Sequence, residues 1–357
     1  MTSTSERQQI RVLRKMRSTL GHQHGFTLVE LMIAMVLGLL IIGGVIAVFL
    51  SNKQTYATHN AMSQVQDSSR TSFELLSRDI RETGLTGCGN TGRIANVLKS
   101  GPNGASTKTW YSDMANAIRG YDTGTVDPAV ATSTATTAPT AADVGLRVNG
   151  TSSIQLVGGD GLGLTVASHD ITNAKITLNE PDILLAPGDF IVICDPDHAV
   201  ITQVTSLTNS PTILSLPANT TAPGNCSTGL GFPTQCSSPG NVYTYITNSQ
   251  ISRLYAVDWY IGFNPVGRKS LYRIALVSGL PTAPQEMVRD VNDMQISYHI
   301  RSGTTFVTAA TVTDWSTVDA VAITLTLVSS SKFAGTKTGT PITRNIPITV
   351  TLRNRVQ

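Results

Sequence analysis

Three short stretches carry residue types that could do chemistry. In "DPDHA", Asp195 and Asp197 lie beside His198, a set able to bind a cation weakly or pass a proton. The stretch lacks the Gly and the downstream Glu of an EF-hand loop and follows an apolar run, so a turn after a strand is expected. "GFNPVGRKS" (Gly262 to Ser270) approaches a phosphate-binding loop, in which main-chain N–H groups cradle phosphate and a Lys reaches it. Here an Arg intrudes before the Lys, and the strand-like "LYRIALV" follows where a helix is required. A hairpin turn is expected instead. "GGDGLG" (Gly158 to Gly163) lacks the third correctly spaced Gly of a dinucleotide site and has no βαβ surroundings. His24, His59, His198 and His299 are scattered, and no Ser or Cys has a local catalytic signature. These readings point away from an enzyme, a resident cofactor and a metal centre.

A different kind of chemistry sits near the N-terminus. From Phe26 to Leu50 every residue is apolar, Gly or a lone Thr, except Glu30. Leu31 to Leu50 is a run of 20 uncharged residues, about what a hydrocarbon core of about 30 Å requires. Arg7, Arg11, Arg14, Lys15 and Arg17 precede it, and only Lys53 lies just beyond. The positive-inside rule puts residues 1–25 in the cytoplasm and the body outside the inner membrane. The apolar run is too long for an ordinary secretory signal, and no small-x-small cleavage pattern follows it. The plain reading is an uncleaved anchor, with Glu30 reaching to the interface from the helix end. A carboxylate in hydrocarbon costs a few kcal/mol and normally needs a partner.

The elements around these residues change period along the chain. Ser51 to Thr83 contains no Pro or Gly, and Met62, Val65, Phe73, Leu76 and Ile80 recur on one face of a 3.6-residue period. The helix is expected to run on from the membrane, with Glu74 and Arg78 as an i,i+4 pair, and to stop at Gly84 and Gly87. Beyond it the period becomes 2. "SIQLV", "KITLN", "FIVIC", "TILSL", "VYTYI", "LYRIALV", "MQISYHI", "VAITLTL" and "PITVTL" predict short strands in a mostly antiparallel sheet. Trp259, Tyr260, Tyr272 and Tyr298 fall at strand spacing, as core or sheet-face residues; the alternative is a contact surface for another subunit. Residues 123–143, rich in Ala, Thr and Pro, read as a mobile surface loop.

Charged residues make up 14% of the 357-residue chain, and the net charge of +3 is concentrated in residues 1–25. The near-neutral body therefore shows no footprint for specific nucleic-acid binding. Its four cysteines, Cys88, Cys194, Cys226 and Cys236, all fall on the exported side, where an even count favours two disulfides. Cys226 and Cys236 bracket a Gly/Pro-rich loop and are the first pair, their closure contributing roughly 2–3 kcal/mol. Cys88 with Cys194 follows, although three connectivities are formally open. A zinc site lacks the C-x-x-C spacing and a supporting His.

The basic leader ending in Gly25, followed by Phe26-Thr27-Leu28-Val29-Glu30-Leu31, resembles the class III signal of type IV prepilins. "RLYAVDWYIG", "SLYRIAL", "VRDVNDMQISY", the ending "VTLRNR" and "RDIRETGLTGCG" at the helix end are similar to PilW-type minor pilins. The resemblance implies an α+β pilin fold, a long N-terminal helix on a mostly antiparallel sheet body. It implies cleavage after Gly25 by the prepilin peptidase, N-methylation of Phe26, and pairing of Glu30 with the new amine of a neighbouring subunit. The parts are then a cleaved leader (1–25), a transmembrane and assembly half-helix (26–50), an amphipathic half (51–83) and an exported body (84–357). Implied partners are other minor pilins, the major pilin, the inner-membrane assembly platform and a PilY-type tip adhesin. The subunit would rest in the inner membrane and then join the pilus, supporting assembly and, through it, motility, adhesion or DNA uptake. The alternatives are a J-type minor pseudopilin of a type II secretion system and a membrane-anchored periplasmic binding protein or enzyme.

Overall fold

The computed structural model describes residues 25–86, 93–135, 139–181, 184–210, 212–218, 224–331, 340–353 and 355. The leader up to His24, Gly87, Cys88 and residues 136–138 of the low-complexity stretch lie outside them. The chain divides into two compact units, Met1–Ala57 and Thr58–Gln357. Helix α1 (Leu28–Glu82) contributes to both.

In the first unit no described residue is buried. Leu39 is 75% exposed and Ile41 67%, and an apolar stretch long enough to cross a membrane lies here. Water is a poor solvent for such a surface, which costs about 25 cal/mol per Å². The first unit is built to be covered by lipid or protein.

In the second unit α1 is amphipathic. Ala61, Val65, Ser72, Leu76, Ser77, Asp79 and Ile80 are buried, close to the expected face. Phe73, placed on that face by its spacing, is 42% exposed. The expected Glu74–Arg78 pair is replaced by Arg70–Glu74 at 3.0 Å, because Arg78 turns to Asp79 at 3.3 Å. Arg78 gains more there, since its neighbour's carboxylate is wholly withdrawn from water. The helix stops at Gly84, whose φ of +76° only Gly adopts cheaply.

The body carries two sheets. In the larger, strands β1 (Ile94–Asn96), β2 (Ile118–Tyr121), β3 (Ser153–Asp170), β4 (Lys175–Leu178), β5 (Phe190–Cys194), β6 (Ala199–Gln203), β7 (Ser206–Thr208), β8 (Ile213–Ser215) and β9 (Gln250–Phe263) follow in chain order. They lie side by side as β1-β6-β5-β9-β3-β4-β8-β7, with β2 on β3. The same sheet continues through β10 (Lys269–Val277), which pairs with β9, β11 (Leu280–Pro281) and β12 (Gln285–Arg289). The smaller sheet is ordered β14 (Phe306–Val307), β13 (Val291–Ile300), β15 (Val318–Val328), β16 (Thr343–Thr351). Among the named strands β1 and β6 pair in parallel and the rest antiparallel, as the short turns dictate.

One core joins Val65, Leu76 and Ile80 of α1 to Trp259 and Ile261 of β9 and to Met294, Ile323 and Leu325 of the smaller sheet. From Val321 to Val328 β15 alternates buried and half-buried, as period 2 requires. β9 does not alternate and is buried from Ala256 to Phe263, with apolar neighbours on both faces. Trp259, Tyr260, Tyr272 and Tyr298 are all buried, so they are core residues and not a contact surface.

Two expectations are corrected. "VYTYI" is not a strand. Val242 alone bridges to Leu230; the Tyr243 N–H donates to Gly229 O, and the Tyr245 N–H to His169 Nδ1 at 3.2 Å. Its donors are spent on a loop and a side chain, leaving no ladder. The stretch 123–143 is not simply a surface loop. Asp127, Val130 and Ser133 are buried, and Asp127 accepts from Ser153 Oγ and, at 2.6 Å, from Gln155 Nε2. Buried Arg147 donates to Thr125 O at 2.9 Å and to Asp122 O at 3.1 Å.

Beside this segment lies Asp258, wholly buried. Burial pushes its carboxyl well above the usual range, and Asp127 adds to the rise while Arg147 opposes it. A carboxyl raised on folding contributes its stability below the unfolded pKa and loses it as pH rises through the folded one, at about 1.4 kcal/mol per pH unit. Asp258→Asn removes this loss. The variant is expected to gain stability over the parent progressively from about pH 4 upward, read by thermal unfolding of both proteins from acid to neutral pH. A constant difference across that range would refute the assignment.

Candidate assembly site

Gly25, Phe26 and Thr27 are non-helical and exposed, and α1 starts at the next residue. Thr27 and Glu30 fix that start. The Glu30 N–H donates to Thr27 Oγ1 at 3.2 Å, and the Thr27 N–H reaches Glu30 Oε2 at 3.5 Å. This reciprocal pair is a capping box, the T-x-x-E arrangement that satisfies main-chain donors at a helix N-terminus. The sequence reading missed it by treating Glu30 only as a charge in need of a distant partner; T-x-x-E before an apolar run was the available signal. Glu30 also sits where the helix dipole favours an anion. Its carboxylate remains exposed, and its longer cap bond is weak, so another cation can compete for it at little cost.

The second unit holds the other end of α1 with polar contacts. Asp79, 0% exposed, accepts from Trp259 Nε1 of β9 at 2.9 Å. Arg273 Nε of β10 lies 3.4 Å from the same oxygen, and its guanidinium stands over the rings of Tyr255 and Trp259. Burial and the Asp79 carboxylate both hold the Tyr255 phenol far above its ordinary range. Next to this cluster the chain leaving α1 joins β3. The Gly84 N–H donates to Val157 O at 2.8 Å, and the Gly159 N–H to Leu85 O at 2.7 Å. A side chain at Gly158 would stand 2.5 Å from Glu82 O. The run "GGDGLG" thus serves close approach of the helix end to the sheet, which accounts for its first two glycines.

The remaining chemical motifs are structural. Asp195 closes the β5–β6 turn, accepting from the Asp197 and His198 N–H groups at 2.9 and 2.8 Å and from Tyr243 OH at 2.7 Å. His198 Nδ1 pairs with Asp197 at 2.8 Å and the ring stacks on Tyr243 at 3.9 Å. These donors and acceptors are spent on one another. "GFNPVGRKS" is the β9–β10 hairpin turn, with Asn264 Oδ1 accepting from the Val266 and Arg268 N–H groups. Cys226 and Cys236 form a disulfide. Cys194 is also disulfide-bonded, and Cys88, expected to pair with it, lies outside the described residues.

Two stretches of the chain match known families. Residues 20–46 match the prokaryotic N-terminal methylation motif, the segment that contains Gly25, Phe26 and Glu30. Residues 258–351 match the type IV pilus-assembly protein W, from Asp258 in β9 to the end of β16. Together the two matches support a PilW-type minor pilin of the type IV pilus. No curated protein and no solved structure matches this chain. Its α+β plan, one long apolar N-terminal helix and a large mostly antiparallel sheet body, agrees with that family. The second match takes in Trp259 and Arg273, which hold Asp79. Neither match covers residues 47–257, where the chain carries all of α1 beyond Ile46, β1 to β8 and the start of β9.

Proposed function

We propose that this chain is a structural subunit, without catalytic activity of its own, that helps to start type IV pilus assembly from a tip or priming complex. It is made as a precursor in the inner membrane, with residues 1–25 cytoplasmic and the body periplasmic. The prepilin peptidase cuts between Gly25 and Phe26 and methylates Phe26. Residues 26–50 then leave lipid for a bundle of pilin helices. Glu30 exchanges its long bond to the Thr27 N–H for the Phe26 amine of a neighbour, where pairing offsets the cost of withdrawing both charges from water. The body selects its neighbours among other minor pilins, the major pilin and a tip adhesin, and motility, adhesion or DNA uptake follow from the filament.

The observation that carries this reading is the exposed, non-helical Gly25-Phe26-Thr27 immediately before a capped helix, inside the methylation-motif match. An accessible, non-helical bond next to a helix start suits a peptidase. The test is the intact mass and N-terminal fragment spectrum of the protein from membranes, with and without prepilin peptidase. The expected result is a chain starting at N-methylated Phe26 only when the peptidase is present. A chain that keeps residues 1–25 under both conditions defeats the reading.

A further inference from the structure

A cleft of about 200 Å³ opens on the body between the stretch Lys108–Asn116, strand β2 and Gln155 of β3. Its residues combine an aromatic wall with polar groups held in place. Trp110 is partly exposed and packs edge-on against Tyr111 at 5.5 Å, which is buried and stacks on Phe190 at 5.9 Å. The Trp110 ring is therefore anchored from behind. Tyr121 OH donates to Gln155 Oε1 at 3.1 Å, and Gln155 Nε2 donates to Asp127, so the amide cannot flip. Asp113 is tied to Asn116 Nδ2 at 2.8 Å.

The charge of the cleft is unbalanced. Lys108 and Arg119 line it against a single acid, Asp113. Both cations are exposed, and among the described residues neither forms an ion pair. Arg119 stands 5.8 Å over the Tyr121 ring, which orients its guanidinium without neutralising it. A flat aromatic face, fixed amide and carboxylate groups and two unpaired cations match a small ring rich in hydroxyls that also bears an anion. The volume is below the roughly 300–1,000 Å³ of sites for drug-sized ligands, which leaves room for one ring.

We propose that this cleft binds a saccharide ring carrying a carboxylate or sulfate, with Trp110 under the ring and Arg119 and Lys108 on the anion. The anion fits the planar fork of Arg119. A single-stranded nucleic acid is the competing ligand of this composition, and the cleft's room for one ring argues against a continuous strand.

The test uses the full chain in detergent micelles, with trigalacturonate as the carboxylated probe and a chondroitin-sulfate disaccharide as the sulfated one. Maltotriose, inorganic sulfate and oligo-dT are the comparators. Binding is read by calorimetry and by tryptophan fluorescence, to which Trp110 responds while Trp259 and Trp315 are buried. At least one acidic sugar is expected to bind at least about tenfold tighter than maltotriose or sulfate. Arg119→Gln should weaken it at least about tenfold, and Trp110→Leu should weaken it and abolish the fluorescence change, with the melting transition of both variants retained. Whichever of the two probes binds identifies the anion. The proposal is overturned if neither binds up to about 10 mM, if maltotriose or sulfate binds equally well, if Arg119→Gln has no effect, or if oligo-dT binds tighter than both sugars.

Discussion

Asp79→Ala is expected to lower the unfolding free energy of the body by about 3–5 kcal/mol, the usual result of removing one partner of a buried ion pair. The carboxylate is wholly buried; its loss strands the Trp259 indole N–H and the Arg273 guanidinium, whose side chain is 16% exposed. The indole N–H cannot reach water without opening the core that Leu76 and Ile80 close. Asp79→Asn keeps an oxygen for Trp259 and loses the charge, so it should fall between the variant and the parent. Denaturant unfolding of the full chain measures the difference as a shift in midpoint at constant slope. Limited trypsin digestion locates it, since loosening of the helix exposes the bonds after Arg78 and Arg81. A loss below about 1 kcal/mol would mean that packing alone holds the helix.

Gly158→Val should cost about 2–4 kcal/mol for a different reason. Its Cβ would be placed 2.5 Å from Glu82 O, and a main-chain oxygen at the end of a helix cannot swing aside as a side chain can. Either β3 or the end of α1 must move, which strains the Gly84–Val157 and Gly159–Leu85 hydrogen bonds. Gly161, in the same glycine-rich run, has nothing within 4 Å of the corresponding position. Gly161→Val is therefore the control and should stay within about 0.5 kcal/mol of the parent. Thermal unfolding of the two variants side by side distinguishes a specific close approach from a general intolerance of side chains there.

The residues that matter were legible where their reasons are local. The Glu30 context, the apolar run and the helix beyond it are contiguous in sequence, and the alternation of β15 shows on sight. "GFNPVGRKS" and "DPDHA" could be dismissed as sites because their required neighbours were missing. Asp79 was not legible, because its partner Trp259 lies 180 residues away and an acid beside Ile80 reads locally as one more solvated charge. The strand order was hidden for the same reason. β3 pairs with β9 from Ser153 to Thr165, with β2 on its other edge from Ser153 to Leu156, and with β4 from Val166 to Asp170, and no local pattern says which. "VYTYI" has the composition of a strand, but whether it pairs depends on where Gly229 and His169 put their acceptors.

The attachments of α1 to the body also decide how the subunit answers a pull. Gln64 is tied to Asp290 and Ser330 partway along the helix, while Asp79 to Trp259, Gly84 to Val157 and Leu85 to Gly159 are gathered at its end. Tension carried down α1 meets the Gln64 contacts first, and only then the cluster at the helix end, whose bonds share the remaining load. The central strands β9 and β3 receive that load, and their side-by-side pairing from Ser153 to Thr165 spreads it along the middle of the large sheet. A mechanical clamp of this kind resists a steady pull far better than its modest count of bonds suggests. It would fail in two stages, the Gln64 contacts giving way before the cluster between Asp79 and Leu85.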